Sequence, residues 1–182
     1  MSATAPVPNQ RDPKSVVDLA LVPKKQGFGY RFVIPVGGKI TGMRAWCPAG
    51  PITALQILAE DASGEEANSV VWGNTGHLPA PSQEIVLDKD DLLIGITGYY
   101  GQPKNLGIET VTNLVLHTAD EAPGDPEKLL GPKEGGTDFA FMPDDLPIGA
   151  DIIGLQWGIG ALIITYVGLI CEVPGPPDRA IA

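Results

Sequence analysis

Apolar residues in this chain fall at alternate positions in segment after segment, and a helical period of 3.6 is almost nowhere to be found. Within Glu84–Gly101, EIVLDKDDLLIGITGYYG, two short alternating strands end in a glycine-flanked tyrosine pair. Similar runs of Ile, Val, Leu and aromatic residues cover Tyr30–Pro35, Ile40–Trp46, Ile52–Ala59, Val111–Leu116 and Ile163–Cys171. The 23 glycines and 18 prolines supply the corners that many short strands require. Only Asp125–Leu130 (DPEKLL) carries a helical start signal, with Asp125 as cap and Pro126 at the first position. An all-β fold is expected. The length, 182 residues, suits one domain with its own core. Its expected bounds are residues 21–173, between a flexible proline-rich tail at residues 1–20 and a second tail at residues 174–182.

Charge narrows the partners. Twelve Lys and Arg against 22 Asp and Glu give a net charge of −10, which repels nucleic-acid phosphates and anionic lipid heads. The apolar run Ala161–Ile170 is too short to span a bilayer, and no secretory signal is legible before Asp18, so a cytoplasmic location is expected. Cys47 and Cys171 each sit in an apolar run and read as buried free thiols. His77 and His117 belong to no metal-binding spacing, and His117 reads as a hydrogen-bonded strand histidine. The acidic loops Glu60–Ser69, Ala119–Lys128 and Pro143–Pro147 lack the ligand spacing of a calcium loop and read as solvated surface. GKITG, Gly38–Gly42, lacks the spacing of a phosphate loop and leads into a strand. No metal, cofactor or catalytic residue is therefore assigned, and no nucleophile–base pair is visible.

Six segments, taken in order, resemble jacalin-related lectins: GGKITGMRAW (Gly37–Trp46), ITALQIL (Ile52–Leu58), EIVLDKDDLLIGITGYYG, VTNLVLHT (Val111–Thr118), LLGPKEGGTDFAF (Leu129–Phe141) and ADIIGLQWGIGALI (Ala150–Ile163). The resemblance implies a β-prism I, three four-stranded antiparallel Greek-key sheets, and a monosaccharide held at one end of the prism between three loops. It places a glycine-rich ligand segment near the amino terminus, at QGFG with Gly27 and Gly29 or else at VGG (Val36–Gly38), and further contacts at Tyr100, Gln102 and Asn105 after the tyrosine pair. The third set is the segment Trp157, Gly158, Gly160, Ala161 and Leu162.

One element of the family's pattern is missing. The family uses a G-x-x-x-D segment whose carboxylate accepts two sugar hydroxyls. Matching Gly160 to its glycine puts Ile164 at the acid position, or Thr165 if one residue is inserted. Losing such a charged acceptor costs about 1.5–3 kcal/mol, roughly tenfold to a hundredfold in affinity. Trp157 reads either as a stacking platform for a ligand or as a core plug. Trp46 and Trp72 read as packing residues. Of Tyr99 and Tyr100, strand alternation turns one inward and one outward. Three functions stay open. The first is a carbohydrate-binding domain with an altered site, its partner a mono- or oligosaccharide or a glycoprotein. The second is a structural or interaction protein that forms a homo-oligomer and has lost sugar binding. The third is a small-molecule enzyme built on the prism end.

Overall fold

The computed structural model describes residue 11 and residues 15–19, 21–23, 28–48, 50–102, 107–122, 126–133 and 136–174. The two-residue period appears there as β1 (Val16–Asp18), β2 (Phe28–Val33), β3 (Lys39–Trp46), β4 (Ala54–Glu60), β5 (Trp72–Gly73) and β6 (Gln83–Val86). It continues in β7 (Leu93–Gly101), β8 (Thr110–Thr118), β9 (Leu129–Leu130), β10 (Thr137–Phe141), β11 (Asp151–Gly160) and β12 (Ile163–Glu172). They make three four-stranded antiparallel sheets, ordered β5-β4-β3-β6, β10-β7-β8-β9 and β1-β12-β11-β2. In the first two, the last strand returns to lie beside the first, which is a Greek key. Strands from both ends of the described chain complete the third sheet. The expected β-prism is the architecture found.

One face of each sheet points to a shared centre. Met43, Ala45, Leu55 and Ile57 enter from the first sheet, Ile96, Leu114, Leu116 and Phe139 from the second, and Leu155, Trp157, Val167 and Leu169 from the third. All belong to one cluster, so alternation along every strand is satisfied by the same core.

Two expectations need correcting. Val16–Asp18 falls within the expected amino-terminal tail, yet it is the edge strand of the third sheet, in register with Ile170–Glu172 of β12. Three residues are too few to show a period, so the strand is set by its partner. Arg11, also within that tail, donates to Glu172 and to the carbonyls of Ile34 and Pro35. The helical turn at Asp125–Leu130 is not formed over its described part. Leu129 and Leu130 pair with Val115 and Leu114, and Leu130 is wholly buried. Burial on the sheet's inner face outweighs a local start signal. A 3-10 turn lies at Pro143–Asp145, where the N–H of Met142 donates to the Asp145 carboxylate at 3.1 Å. Residues 175–182 of the expected carboxy-terminal tail lie outside the described residues.

Candidate functional site at the prism tip

Three corners meet at one end of the prism. The first is the start of β2, where Phe28 pairs with Ile159 and Gly29 with Gly158. The second is the connection from β7 to β8, which leaves at Gly101 opposite Thr110. The third is the hairpin joining β11 to β12, whose last ladder pair is Gly160–Ile163. A Cβ built on Gly160 would lie 3.7 Å from Ile108 Cδ1, so the hairpin touches the β7–β8 connection. The Ile164 N–H donates to the carbonyl of Ile52 at 2.9 Å and ties the hairpin to the connection between β3 and β4.

The hairpin turns on only two residues, Ala161 and Leu162, with φ of +48° and +70°. Positive φ at both central positions is the mark of a type I′ turn, normally filled by Asn and Gly. Ala and Leu hold it at a cost of the order of 1 kcal/mol each. Their N–H groups lie outside the β11–β12 ladder, and both residues are exposed, Leu162 at 65%. So tight a turn carries no signal in the residues themselves, because neither type favours it.

Just past the turn the chain dives inward. Ile164 and Thr165 are each completely buried. Both alignments of the missing aspartate therefore land on core positions. Nor is there any acid between Asp151 and Glu172.

The glycines here serve a tyrosine. Tyr166, Gly158 and Gly29 form one cross-strand row over β12, β11 and β2. A Cβ on Gly158 would fall 2.0 Å from Tyr166 Cε1, and one on Gly29 the same distance from its hydroxyl oxygen. The ring lies across both bare backbones, an arrangement that only glycine permits. Burial raises the Tyr166 hydroxyl pKa.

The aromatic residues divide cleanly. Trp157 is entirely buried, meets Tyr30 edge-on at 5.0 Å and donates its indole N–H to the Trp72 carbonyl at 3.4 Å. No face of it remains for a ligand at the surface, so the core reading describes it. Trp72 stacks on Tyr30 at 5.3 Å, and Trp46 is buried. Tyr100 turns inward toward Phe139 and packs on the core, whereas Tyr99 is the outward one of the pair, 36% exposed. Gln102 is exposed directly after β7. Gly27 and Asn105 lie outside the described residues. The tip thus gathers Gly29, Gly160, Ala161 and Leu162, and adds Phe28 and Ile108, which alternation alone had not singled out.

Elsewhere, several polar side chains pair locally. His117 Nε2 lies 2.8 Å from the Thr97 hydroxyl and its Nδ1 3.3 Å from Glu121. The Asp61 carboxylate accepts the N–H groups of Ser63 and Glu65 and the Ser63 hydroxyl, which lowers its pKa. Among the described residues no group of three or more His, Cys, Asp or Glu is placed to hold a metal ion.

A profile of the jacalin-like lectin domain matches residues 27–156. The chain belongs to that family. The matched span of this jacalin-like domain stops four residues before Gly160, so the hairpin that departs from the family's pattern lies beyond it. No curated protein matches the chain by sequence. Among solved structures the jacalin-like domain is similar to the agglutinin of Calystegia sepium, at 20% identity and a TM-score of 0.65, covering 87% of this chain and 97% of that one. Single-chain recombinant jacalin gives 17% identity and 0.65, with 90% and 99% covered. A mannose-specific jacalin-related lectin from Morus nigra, in complex with mannose, gives 17% and 0.61, with 95% and 100% covered. At these identities the likeness is one of fold.

Proposed function

We propose that this chain is a carbohydrate-binding protein of weak affinity that engages sugar hydroxyls at the prism tip without a carboxylate. The observation that carries the reading is the meeting of three chain corners at the hairpin, where the N–H groups of Ala161 and Leu162 lie outside the ladder. Backbone donors of this kind, with the exposed amide of Gln102, suit neutral hydroxyl ligands. The mannose-specific relative from Morus nigra, alike in fold over 95% of this chain, supports a hexose as the ligand class. With Ile164 and Thr165 buried, the charge-assisted bond is absent, and affinity falls by roughly tenfold to a hundredfold.

The test is an NMR titration of the isotope-labelled full chain with mannose, galactose and N-acetylglucosamine into the tens of millimolar, the range such an affinity sets. Shifts confined to Gly101–Gln102 and Gly160–Ile163 are expected. A spectrum unmoved at those positions by any of the three sugars overturns the reading.

A second reading, a tip that contacts another copy of the chain, is favoured by the exposure of Phe28, 84%, beside that of Leu162. Sedimentation of the wild type against Phe28→Ser/Leu162→Ser decides it: a dimer lost in the variant supports this reading, and a monomeric wild type excludes it.

A further inference from the structure

The outer face of the second sheet carries a hydroxyl and an imidazole in nucleophile–base geometry, from residues 20 positions apart in the chain. Ile96 points into the core, so Thr97, the next residue of β7, points out. Across the β7–β8 ladder His117 stands opposite Gly95, whose missing side chain leaves the imidazole room to lean along the strand. Its Nε2 lies 2.8 Å from Thr97 Oγ1. Just past β8 the Glu121 N–H donates to the Thr118 carbonyl at 3.3 Å. That turn brings the Glu121 carboxylate back to 3.3 Å from His117 Nδ1. An ionised carboxylate can only accept, so Nδ1 carries the ring proton, and in the neutral imidazole Nε2 keeps the lone pair. The Thr97 hydroxyl is therefore the donor to Nε2. Thr97 also lines a cleft of about 390 Å3 with Gly98, Tyr99, Asp138, Phe139 and Ala140.

We infer that Thr97, His117 and Glu121 act as nucleophile, general base and positioning residue in the hydrolysis of small carboxylic esters. Thr97 Oγ1 adds to the ester carbonyl carbon while its proton passes to His117 Nε2. The carbon–oxygen bond to the leaving group breaks, and the departing oxygen takes that proton, leaving an acyl ester on Thr97. Water, deprotonated by the same nitrogen, then releases the carboxylic acid and restores the hydroxyl. Glu121 touches no reacting atom and serves by holding the tautomer that leaves Nε2 basic. Tyr99, the next outward residue on β7, brings a second hydroxyl to the cleft, a donor for the carbonyl oxygen as charge develops on it. No step depends on sugar binding at the tip.

The test is mass spectrometry of the full chain after brief exposure to p-nitrophenyl acetate, with p-nitrophenolate release followed in parallel. The first acetyl group is expected on Thr97. Release is expected to fall to the background of the lysines in Thr97→Val and to slow about a hundredfold in His117→Gln. Glu121→Gln, whose amide can donate to Nδ1 and so favours the wrong tautomer, is expected to slow release about tenfold with the thermal midpoint in place. The imidazole nitrogen shifts in NMR, which distinguish the tautomers, are expected to show Nδ1–H in the wild type and Nε2–H in that variant. Acetyl groups confined to lysines, release unchanged in Thr97→Val, or a neutral wild-type ring protonated at Nε2 overturns the proposal. The first and last of these are read on the wild type and need no variant to fold.

Discussion

Replacing Ala161-Leu162 by Asn-Gly tests the structure of the tip most directly. Both residues hold left-handed φ, and relief of about 1 kcal/mol at each position makes about 2 kcal/mol available. Two terms oppose it. Leu162 is 65% exposed, so about a third of a side-chain burial worth ~2 kcal/mol is lost, some 0.7 kcal/mol. Glycine adds freedom to the unfolded chain, which costs a further ~0.7 kcal/mol. A net gain of about 0.5–1 kcal/mol remains, a rise in thermal midpoint of about 1–4 °C for a domain of this size. Urea unfolding of wild type, Ala161→Asn/Leu162→Gly and Ala161→Val/Leu162→Val provides the measurement. The valine pair is expected to lose at least about 1 kcal/mol, since a β-branched residue fits positive φ poorly. An Asn-Gly variant less stable than wild type, or a valine pair equal to it, would show that the turn is not left-handed. The same variant separates the two readings of the tip. Sugar binding through backbone N–H groups survives it, whereas contact through the Leu162 side chain does not.

Ile164→Asp puts an acid at the family's position but inside the core. It is expected to destabilise the chain by about 3–5 kcal/mol without tightening sugar binding, with a penalty that shrinks at acid pH as the carboxyl protonates; urea unfolding at two pH values reads it. Gly29→Ala drives a Cβ into the Tyr166 hydroxyl, so a double-mutant cycle with Tyr166→Phe is expected to show a coupling of about 1 kcal/mol or more, and an additive cycle would remove the contact. The thiol pKa values of Cys47 and Cys171 are pushed up to about 11, by burial in both and in Cys171 also by the charge of Asp151. From an ordinary value of 9.0 the unfolded chain releases these protons first, so the stability they contribute is intact below pH 9 and lost as pH rises toward 11. Urea midpoints across that window in Cys47→Ala and Cys171→Ala should flatten relative to wild type.

Alternation of apolar residues over Ile40–Trp46, Ile52–Ala59, Val111–Leu116 and Ile163–Cys171 was enough to make this chain a β protein, and the order of six motifs was enough to name the prism. Both are local properties: a two-residue period puts one face in a core whatever the partner strand may be. The missing aspartate was equally legible, since absence of an acid between Asp151 and Glu172 needs no coordinates. Partners across the sheets were not legible. Only the tertiary structure turned Trp157 and Tyr100 inward and left Tyr99 outward. It laid Tyr166 over Gly29 and Gly158, and closed the hairpin on Ala161 and Leu162 against their own preference. It also opened a cleft at the far pole, between Leu92 and Ile148, residues more than fifty positions apart in the chain. Such features come from contacts between distant strands, whose packing energy exceeds the roughly 1 kcal/mol that any single residue's local preference can oppose.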